Sequence, residues 1–202
     1  MPHPFIFNVP YIMNYQEYQE LFNQILNAEN PQPPYNDPHY LQYTKLNQAR
    51  MKRWDRQLPL NEALVAAIVN LTENQHWIII TEPWCGDAAH TLPLMIALAA
   101  LNKKITYDIQ LRDSEPFLIH SYLTGTSKSI PKLIVRNESG NDLFTWGPRP
   151  RPAQKLREQL VADHAEYEVI ASALQQWYNQ DKGKAFNEEL LALFNLLNAD
   201  SV

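Results

Sequence analysis

The feature that most restricts the fold is a short apolar run at residues 76–81, in which Trp77 is followed by three isoleucines. A continuous β-branched run of this length is typical of a strand buried on both faces of a sheet. A strongly apolar helix is predicted directly after it, over residues 87–101, and a second strand over Ile105–Leu111. Two neighbouring strands joined by a helix form a right-handed parallel unit. The pattern therefore predicts an α/β fold.

The segments that follow complete a small sheet. Residues 132–136 and 142–146 are predicted to be antiparallel strands, because they flank a turn rich in Asn, Ser and Gly. One helix is predicted over residues 114–123, with Ser114 as its cap, and one long helix over residues 152–178. We therefore expect a central mixed four-stranded sheet flanked by helices.

Further helices are predicted on either side of this core. Three precede it, over residues 11–27, 39–55 and 60–71. The first two are separated by a linker at residues 30–38, whose four prolines remove amide donors and prevent helix formation. After the core, Gly183 is expected to end the long helix, and a last helix covers residues 186–197.

The helical segments suggest a division of the chain into three parts. Residues 1–72 form an N-terminal helical extension, residues 73–165 the core, and residues 166–202 a C-terminal helical extension. The apolar stripes of the N-terminal helices need a surface to cover them, and so few residues have little core of their own. We therefore expect this extension to pack on the core.

Composition excludes several classes of site. The 202 residues include a single cysteine, so an intramolecular disulfide and a zinc site built on several thiolates are impossible. The six histidines never pair at metal-ligand spacing, and we expect neither a metal nor a cofactor. A formal net charge of -5 argues against nucleic acid as a partner.

The sequence gives no indication of a membrane or of export. Residues 1–7 have neither the basic start nor the apolar run of a signal peptide. The longest apolar stretch, residues 92–101, is too short to span a bilayer. We therefore expect a cytoplasmic protein without membrane contact.

The single cysteine, Cys85, falls where the buried strand ends and the apolar helix begins. Free amides and the helix dipole at that position stabilise a thiolate and lower the pKa of the thiol. One interpretation is a reactive thiol, because open sheets bind ligands at the carboxyl ends of their strands. The alternative is that Cys85 is a small buried apolar side chain.

The residues around Cys85 resemble those of a known family. Residues 82–88 read Glu-Pro-Trp-Cys-Gly-Asp-Ala and resemble the Trp-Cys-Gly-Pro-Cys active-site helix of thioredoxins, with Pro93 at the family's kink proline. Ile130 and Pro131 resemble the second family landmark, an Ile-Pro with a cis bond that packs against the active-site sulfur. The resemblance covers about residues 75–160. It implies a thioredoxin-like fold with an N-terminal helical extension and an extra C-terminal helix.

The resemblance extends to a bacterial thioredoxin-like subgroup that has a Trp-Cys-Gly-Asp-Ala motif and a single active-site cysteine. The segments that match this subgroup are residues 43–51, 84–88 and 145–150. Compared with thioredoxin, Ala88 replaces the resolving cysteine and Ile79 replaces a buried acid that assists proton transfer. Both replacements imply that the chain is not a dithiol reductase.

The site residues follow from the motif and its surroundings. We expect Cys85 and Asp87 to be catalytic, and six residues to form the substrate-binding surface: Trp84, Gly86, Ile130, Pro131, Trp146 and Arg149.

Several of these residues have alternatives. Asp87, whose charge opposes thiolate formation, is as well explained by capping of the helix. Trp146 would otherwise pack under the C-terminal helix, and Arg149 could bind either Asp87 or an anionic substrate. His90 is better explained as a surface or hydrogen-bonded histidine than as a base for Cys85, because five helical residues rotate it away.

The leading hypothesis is a redox protein that forms mixed disulfides through Cys85 with a protein or a low-molecular-weight thiol. We expect the pKa of the Cys85 thiol to lie near or modestly below about 8.5. The alternative is a non-catalytic thioredoxin-like module that binds a protein or peptide in the groove beside Cys85. A third possibility is peroxide sensing through a sulfenic acid, which needs an exposed and acidic thiol.

Overall fold

The computed structural model describes residues 12–199, so the predicted helix start at Tyr11 lies outside the described residues. The helices are α1 Tyr15–Asn27, α2 Pro38–Gln57, α3 Glu62–Val69, α4 Gly86–Ala99, α5 Arg151–Ala162, α6 Tyr167–Asp181 and α7 Lys184–Ala199. The strands are β1 Gln75–Thr81, β2 Ile105–Leu111, β3 Lys132–Asn137 and β4 Asp142–Trp146. None of the helices in this part of the chain is both long enough and apolar enough to cross a bilayer.

The four strands form one mixed sheet in the order β2-β1-β3-β4. Strand β1 pairs in parallel with β2 and antiparallel with β3, and β4 pairs antiparallel with β3. Strand β1 is therefore central and, apart from His76, its residues are buried, as its continuous apolar run predicts. The expected α/β fold, a mixed four-stranded sheet flanked by helices, is confirmed.

The two faces of the sheet carry two different hydrophobic clusters. Because side chains alternate along a strand, Trp77 and Ile79 belong to the larger cluster, and Ile78 and Ile80 to the smaller one on the opposite face. Cys85 is a member of the smaller cluster. The Cys85 thiol is therefore buried in the smaller cluster.

The N-terminal helices contribute to the larger cluster. Phe22 of α1, Met51 of α2 and Ile68 of α3 are buried in the same cluster as Trp77 of β1. Asn61 caps α3 by accepting from the Leu64 amide at 3.1 Å, as its position before an apolar run predicts. The helices bury their apolar stripes against the sheet, while the division of the chain at residues 72 and 165 stays a prediction.

The prediction of a helix over residues 114–123 is wrong. Only a short 3-10 helix, Leu118–Ser121, forms there. Pro116 has no amide hydrogen, and Phe117 has a φ of 55°, in the left-handed region that does not continue a right-handed helix. The Phe117 amide bonds instead to the Ser114 carbonyl at 2.8 Å, which closes a turn.

The single long helix predicted over residues 152–178 is also wrong, because the chain reverses between α5 and α6. His164 has a φ of 55°, and the Ala165 amide bonds back to the Leu160 carbonyl at 2.9 Å. This left-handed residue ends α5 as an αL helix terminus does. Helix α6 consequently folds back beside the start of α4, where it becomes part of the candidate site.

Candidate functional site

Cys85 lies at the junction between β1 and α4 as the N-cap residue of α4. Its side chain is buried, with only 6% of the residue exposed. The thiol donates to the carbonyl oxygen of Ile130, with Sγ 3.4 Å from that oxygen. The Ile130–Pro131 peptide bond is cis, so the expected cis bond beside the sulfur is confirmed.

The surroundings of the sulfur disfavour a thiolate. Burial is the main cause, and the charge of Asp87 the second, of a rise in the pKa of Cys85 from 9.0 to about 12. The Ala88 amide, the Arg149 guanidinium and the Asp87 amide act in the opposite direction. A helix N-terminus contributes at most about 2 kcal/mol, which does not offset the desolvation of a buried charge. The expected pKa near or below about 8.5 is therefore wrong.

Asp87 is held by two side chains from distant segments. The Arg149 Nε and Nη2 atoms donate to Asp87 Oδ2 at 3.0 and 2.6 Å, and the Tyr178 hydroxyl donates to Oδ1 at 2.7 Å. The Asp87 and Arg149 side chains are only 12% and 11% exposed. Of the two partners foreseen for Arg149, the structure shows Asp87.

Gly147 allows the backbone to place Arg149 beside Asp87. Gly147 has a φ of 118°, and a Cβ atom there would lie 2.2 Å from the Pro131 carbonyl oxygen. A side chain at position 147 would therefore push the chain away from the cis-proline loop. Because Gly147 has none, the segment after β4 passes directly over that loop, and Arg149 reaches the first turn of α4.

His90 is fully hydrogen-bonded and uncharged. The Trp54 indole donates to Nδ1 at 2.9 Å, so Nε2 carries the proton and donates to the Gln175 side-chain oxygen at 3.1 Å. The ring also stacks on Tyr178 with centroids 4.3 Å apart. Burial lowers the pKa of His90 from 6.5 to about 3. The interpretation of His90 as a hydrogen-bonded histidine is confirmed.

A groove of about 1120 Å³ opens above Cys85. Helices α2 and α6 form its sides, together with the loop that precedes Pro131. The two helices meet at Glu168, which accepts from Tyr43 Oη at 3.1 Å and bonds to His39 Nε2 at 2.9 Å. Helix α6 is therefore an integral wall of the site.

The groove brings together most of the residues that the sequence predicted for the site: Trp84, Cys85, Gly86, Asp87, Ile130 and Arg149. Pro131, which follows Ile130 in the chain, is buried and is not among the residues that line the groove.

Trp146 lies elsewhere. Its ring packs edge-on against Phe186 of α7, with centroids 5.0 Å apart, and its indole donates to Glu189 at 2.8 Å. Packing under the C-terminal helix, the alternative considered for Trp146, is what the structure shows.

Sequence reasoning missed Glu82 as a buried acid. Its carboxylate accepts from the Asp113 amide at 3.0 Å and from the Tyr35 hydroxyl at 3.5 Å. Burial raises the pKa of Glu82 from 4.5 to about 7. Its position directly after a buried apolar strand was a usable signal, because a carboxylate there cannot easily reach water.

Tyr178, Arg50 and Arg112 were also missed as lining residues, and the sequence offers no signal for them, because they come from segments distant from the motif. Among residues 12–199 no three His, Cys, Asp or Glu side chains are grouped so that they could hold a metal ion.

Comparison with known proteins agrees with this geometry. A family described as thioredoxin matches residues 35–163. No curated protein matches the chain. A protein of unknown function from Pseudomonas aeruginosa, known from its crystal structure, has a TM-score of 0.51 and 18% identity, with 77% of this chain and 90% of that chain covered. The crystal structure of an HIV epitope-scaffold has a TM-score of 0.53 and 19% identity, with coverages of 88% and 97%.

The two solved structures share the fold with this chain, and at such low identity they carry no information about its activity. The family match covers more than half of the chain, including β1, α4 and the cis-proline loop. Together with the strand order and the position of Cys85, it makes the assignment plain: the chain belongs to the thioredoxin family.

Proposed function

We propose that this thioredoxin-family protein is a non-catalytic binding module that holds a polypeptide ligand in the groove above Cys85. The observation that carries the proposal is the state of the thiol. It is buried, it is protonated at neutral pH, and it donates to the Ile130 carbonyl.

Thiol chemistry is disfavoured by this state. Disulfide exchange needs a thiolate, and a thiol with a pKa of about 12 is ionised to about one part in 10⁵ at pH 7. A mixed disulfide would also lack an internal thiol to resolve it, because Ala88 occupies that position. Both features favour binding over turnover.

The groove suits a chain segment better than a small molecule. Its volume of about 1120 Å³ exceeds the roughly 300–1,000 Å³ that is usual for small-molecule pockets. Its lining includes apolar side chains, such as Trp84, Ile130 and Ile170, as well as charged ones. Such a surface can hold the side chains and the polar backbone of an extended peptide.

The second candidate is monothiol redox chemistry with a protein or a low-molecular-weight thiol. It is favoured by one observation, namely that Cys85 itself belongs to the groove lining. A ligand that displaced the Ile130 contact would then meet the sulfur directly.

The test is alkylation of Cys85 by iodoacetamide from pH 6 to 10, followed by mass spectrometry. Because the chain has one cysteine, every thiol adduct reports on Cys85. We expect the folded protein to react at least about 100-fold more slowly than the denatured protein at pH 8, because a rise of the pKa from 9.0 to about 12 makes its thiolate about 1,000-fold rarer.

The matched control combines Cys85→Ser with Ser127→Cys, which places a cysteine at an exposed position of the same groove. It should react at the rate of a free thiol. If Cys85 reacts as fast as this control, or titrates below pH 8.5, the binding-module proposal is wrong and monothiol chemistry replaces it.

A further inference from the structure

The groove has an excess of positive charge in an acidic protein. Its described lining includes the cations Arg50, Arg112, Lys128, Arg149 and Arg157 and the carboxylates Asp87 and Glu168. The whole chain has a net charge of -5, so the composition does not explain this excess. A cleft lined by one sign of charge concentrates ligands of the opposite sign.

Three of these cations have no carboxylate partner within residues 12–199. Asp87 neutralises Arg149, and Asp113 pairs with Arg112. Among the described residues, no carboxylate lies within ion-pair distance of Arg50, Lys128 or Arg157. The groove therefore keeps three positive charges available for a ligand.

Arg50 lies beside the thioredoxin motif. A Cβ atom at Gly86 would lie 3.8 Å from Arg50 Nη1, which places the guanidinium over the first turn of α4. It is half-buried, and it donates to the neutral side-chain oxygen of Asn47 at 2.7 Å. A partly desolvated guanidinium without a counter-ion is unfavourable, and a ligand carboxylate would relieve that cost.

The neighbouring Trp84 also has an unused donor. Its indole Nε1 is buried and has no hydrogen-bond partner among the described residues. The ring itself is held in place, with the Arg112 guanidinium 4.6 Å from its centroid. The motif end of the groove thus combines a guanidinium that has no carboxylate partner and an indole N–H group that has no acceptor among residues 12–199.

We propose that the ligand of this groove is an extended acidic polypeptide segment whose carboxylates bind Arg50, Lys128 and Arg157. This rests on the proposed binding function and names the class of its ligand. The groove is lined by apolar side chains such as Ile130 and Ile170 as well as by these cations, so a segment that contains both acidic and apolar residues suits it.

An acidic peptide fits better than nucleic acid, although both are anions. A peptide of a few residues places its charges inside the groove. A polynucleotide extends beyond it, and the rest of the chain is net acidic, because the whole chain has a net charge of -5 although the groove has more cations than carboxylates.

The test measures binding of fluorescein-labelled peptides of about twelve residues by anisotropy. One peptide alternates Glu with Leu and Tyr, and the matched peptide has Gln in place of every Glu. We expect the acidic peptide to bind at least about 10-fold more tightly at 50 mM salt, and its advantage to shrink at 300 mM salt as screening increases.

Variants locate the binding site. Arg50→Gln, Lys128→Gln and Arg157→Gln should each weaken binding of the acidic peptide by about 3- to 10-fold, and the triple variant should abolish its advantage over the Gln peptide. The control is Lys155→Gln, which removes the same charge from an exposed position of α5 outside the groove. It should change the affinity less than about 2-fold.

Each other outcome overturns the acidic-ligand proposal, and the outcomes differ in whether the proposed binding function also fails. Equal binding of the two peptides excludes an acidic ligand but leaves the binding module standing. Absence of binding by the acidic peptide, or an unchanged affinity in the triple variant, excludes this site. Tighter binding of a thymidine oligonucleotide of similar length would assign the groove to nucleic acid. A reactive Cys85 in the alkylation test overturns the proposed function itself, whatever the peptides do.

Discussion

Arg149 donates twice to the same oxygen of Asp87, from Nε at 3.0 Å and from Nη2 at 2.6 Å. This contact joins the first turn of α4 to the segment after β4, and Tyr178 adds α6 through the other carboxylate oxygen. The charge that opposes ionisation of Cys85 is therefore also the charge that holds three segments together around the groove.

The first prediction concerns Asp87→Asn. The variant should lower the pKa of Cys85, because it removes the second cause of its elevation and leaves the Arg149 charge nearby. The pKa should stay above that of a free thiol, since burial persists. The free energy of unfolding should fall by about 3 kcal/mol, because a mostly buried guanidinium loses its partner. Thiol alkylation against pH and chemical denaturation measure the two effects.

The chain provides a matched control for this variant. Asp142 also accepts from one arginine and one tyrosine, Arg136 and Tyr122, but its side chain is 37% exposed. Asp142→Asn should cost less than about 1 kcal/mol, because water screens the exposed pair. Equal losses of unfolding free energy in the two variants would contradict the view that burial strengthens the contact of Asp87 with Arg149.

The second prediction concerns Gly147→Ala. The new methyl group would collide with the Pro131 carbonyl, and alanine also disfavours a φ of 118°. We expect a loss of about 3 kcal/mol or more in unfolding free energy. Gly140→Ala separates the two causes, because Gly140 has a φ of 80° but no atom near the added Cβ. That control should lose only about 1 kcal/mol, and a similar loss in both variants would contradict a steric role for Gly147.

The third prediction concerns the buried acid Glu82. Its folded pKa of about 7 lies above its ordinary value of 4.5, so the fold favours the protonated carboxyl. The stability that Glu82 contributes is fully present below pH 4.5 and is lost as the pH rises through 7. Glu82→Gln keeps an acceptor for the Asp113 amide and cannot ionise. Its stability relative to the natural chain should therefore increase between pH 4.5 and 8, by about 3 kcal/mol in total.

Urea denaturation at several pH values measures this difference. Glu29→Gln, at an exposed position, is the control and should follow the natural chain at every pH. If the unfolding free energy of Glu82→Gln varies with pH in the same way as that of the natural chain, burial does not raise the pKa of Glu82.

The fourth prediction concerns disulfide reduction. The natural protein should show no sustained insulin reduction with thioredoxin reductase, because Ala88 cannot resolve a mixed disulfide. Ala88→Cys supplies a second thiol in the first turn of α4 but leaves Cys85 buried beside Asp87. We therefore expect its activity to stay far below that of a dithiol thioredoxin, measured by insulin turbidity. Sustained turnover by the natural chain would contradict both the prediction and the binding-module proposal.

Several features were determined by the sequence alone, because they depend on local pattern. The apolar run of β1 predicts a central buried strand, and its junction with α4 predicts the place of Cys85. The resemblance of Ile130 and Pro131 to the thioredoxin landmark implies the cis bond beside the sulfur, and the single cysteine excludes chemistry that needs two thiols in one chain. The strand and its junction with the helix are inferred from residues that are close together in the chain, the cis bond from the family motif, and the lack of a second thiol from the composition.

The tertiary structure decided what surrounds those residues. The left-handed conformation of His164 returns α6 to the site, where Tyr178 binds Asp87. Trp146 points instead into the core beneath α7. The pKa of Cys85 rises because side chains from distant segments exclude water from the sulfur. Motif and periodicity specify which residues lie at the helix end, but desolvation and charge pairing depend on what packs against them, and only the folded chain determines that.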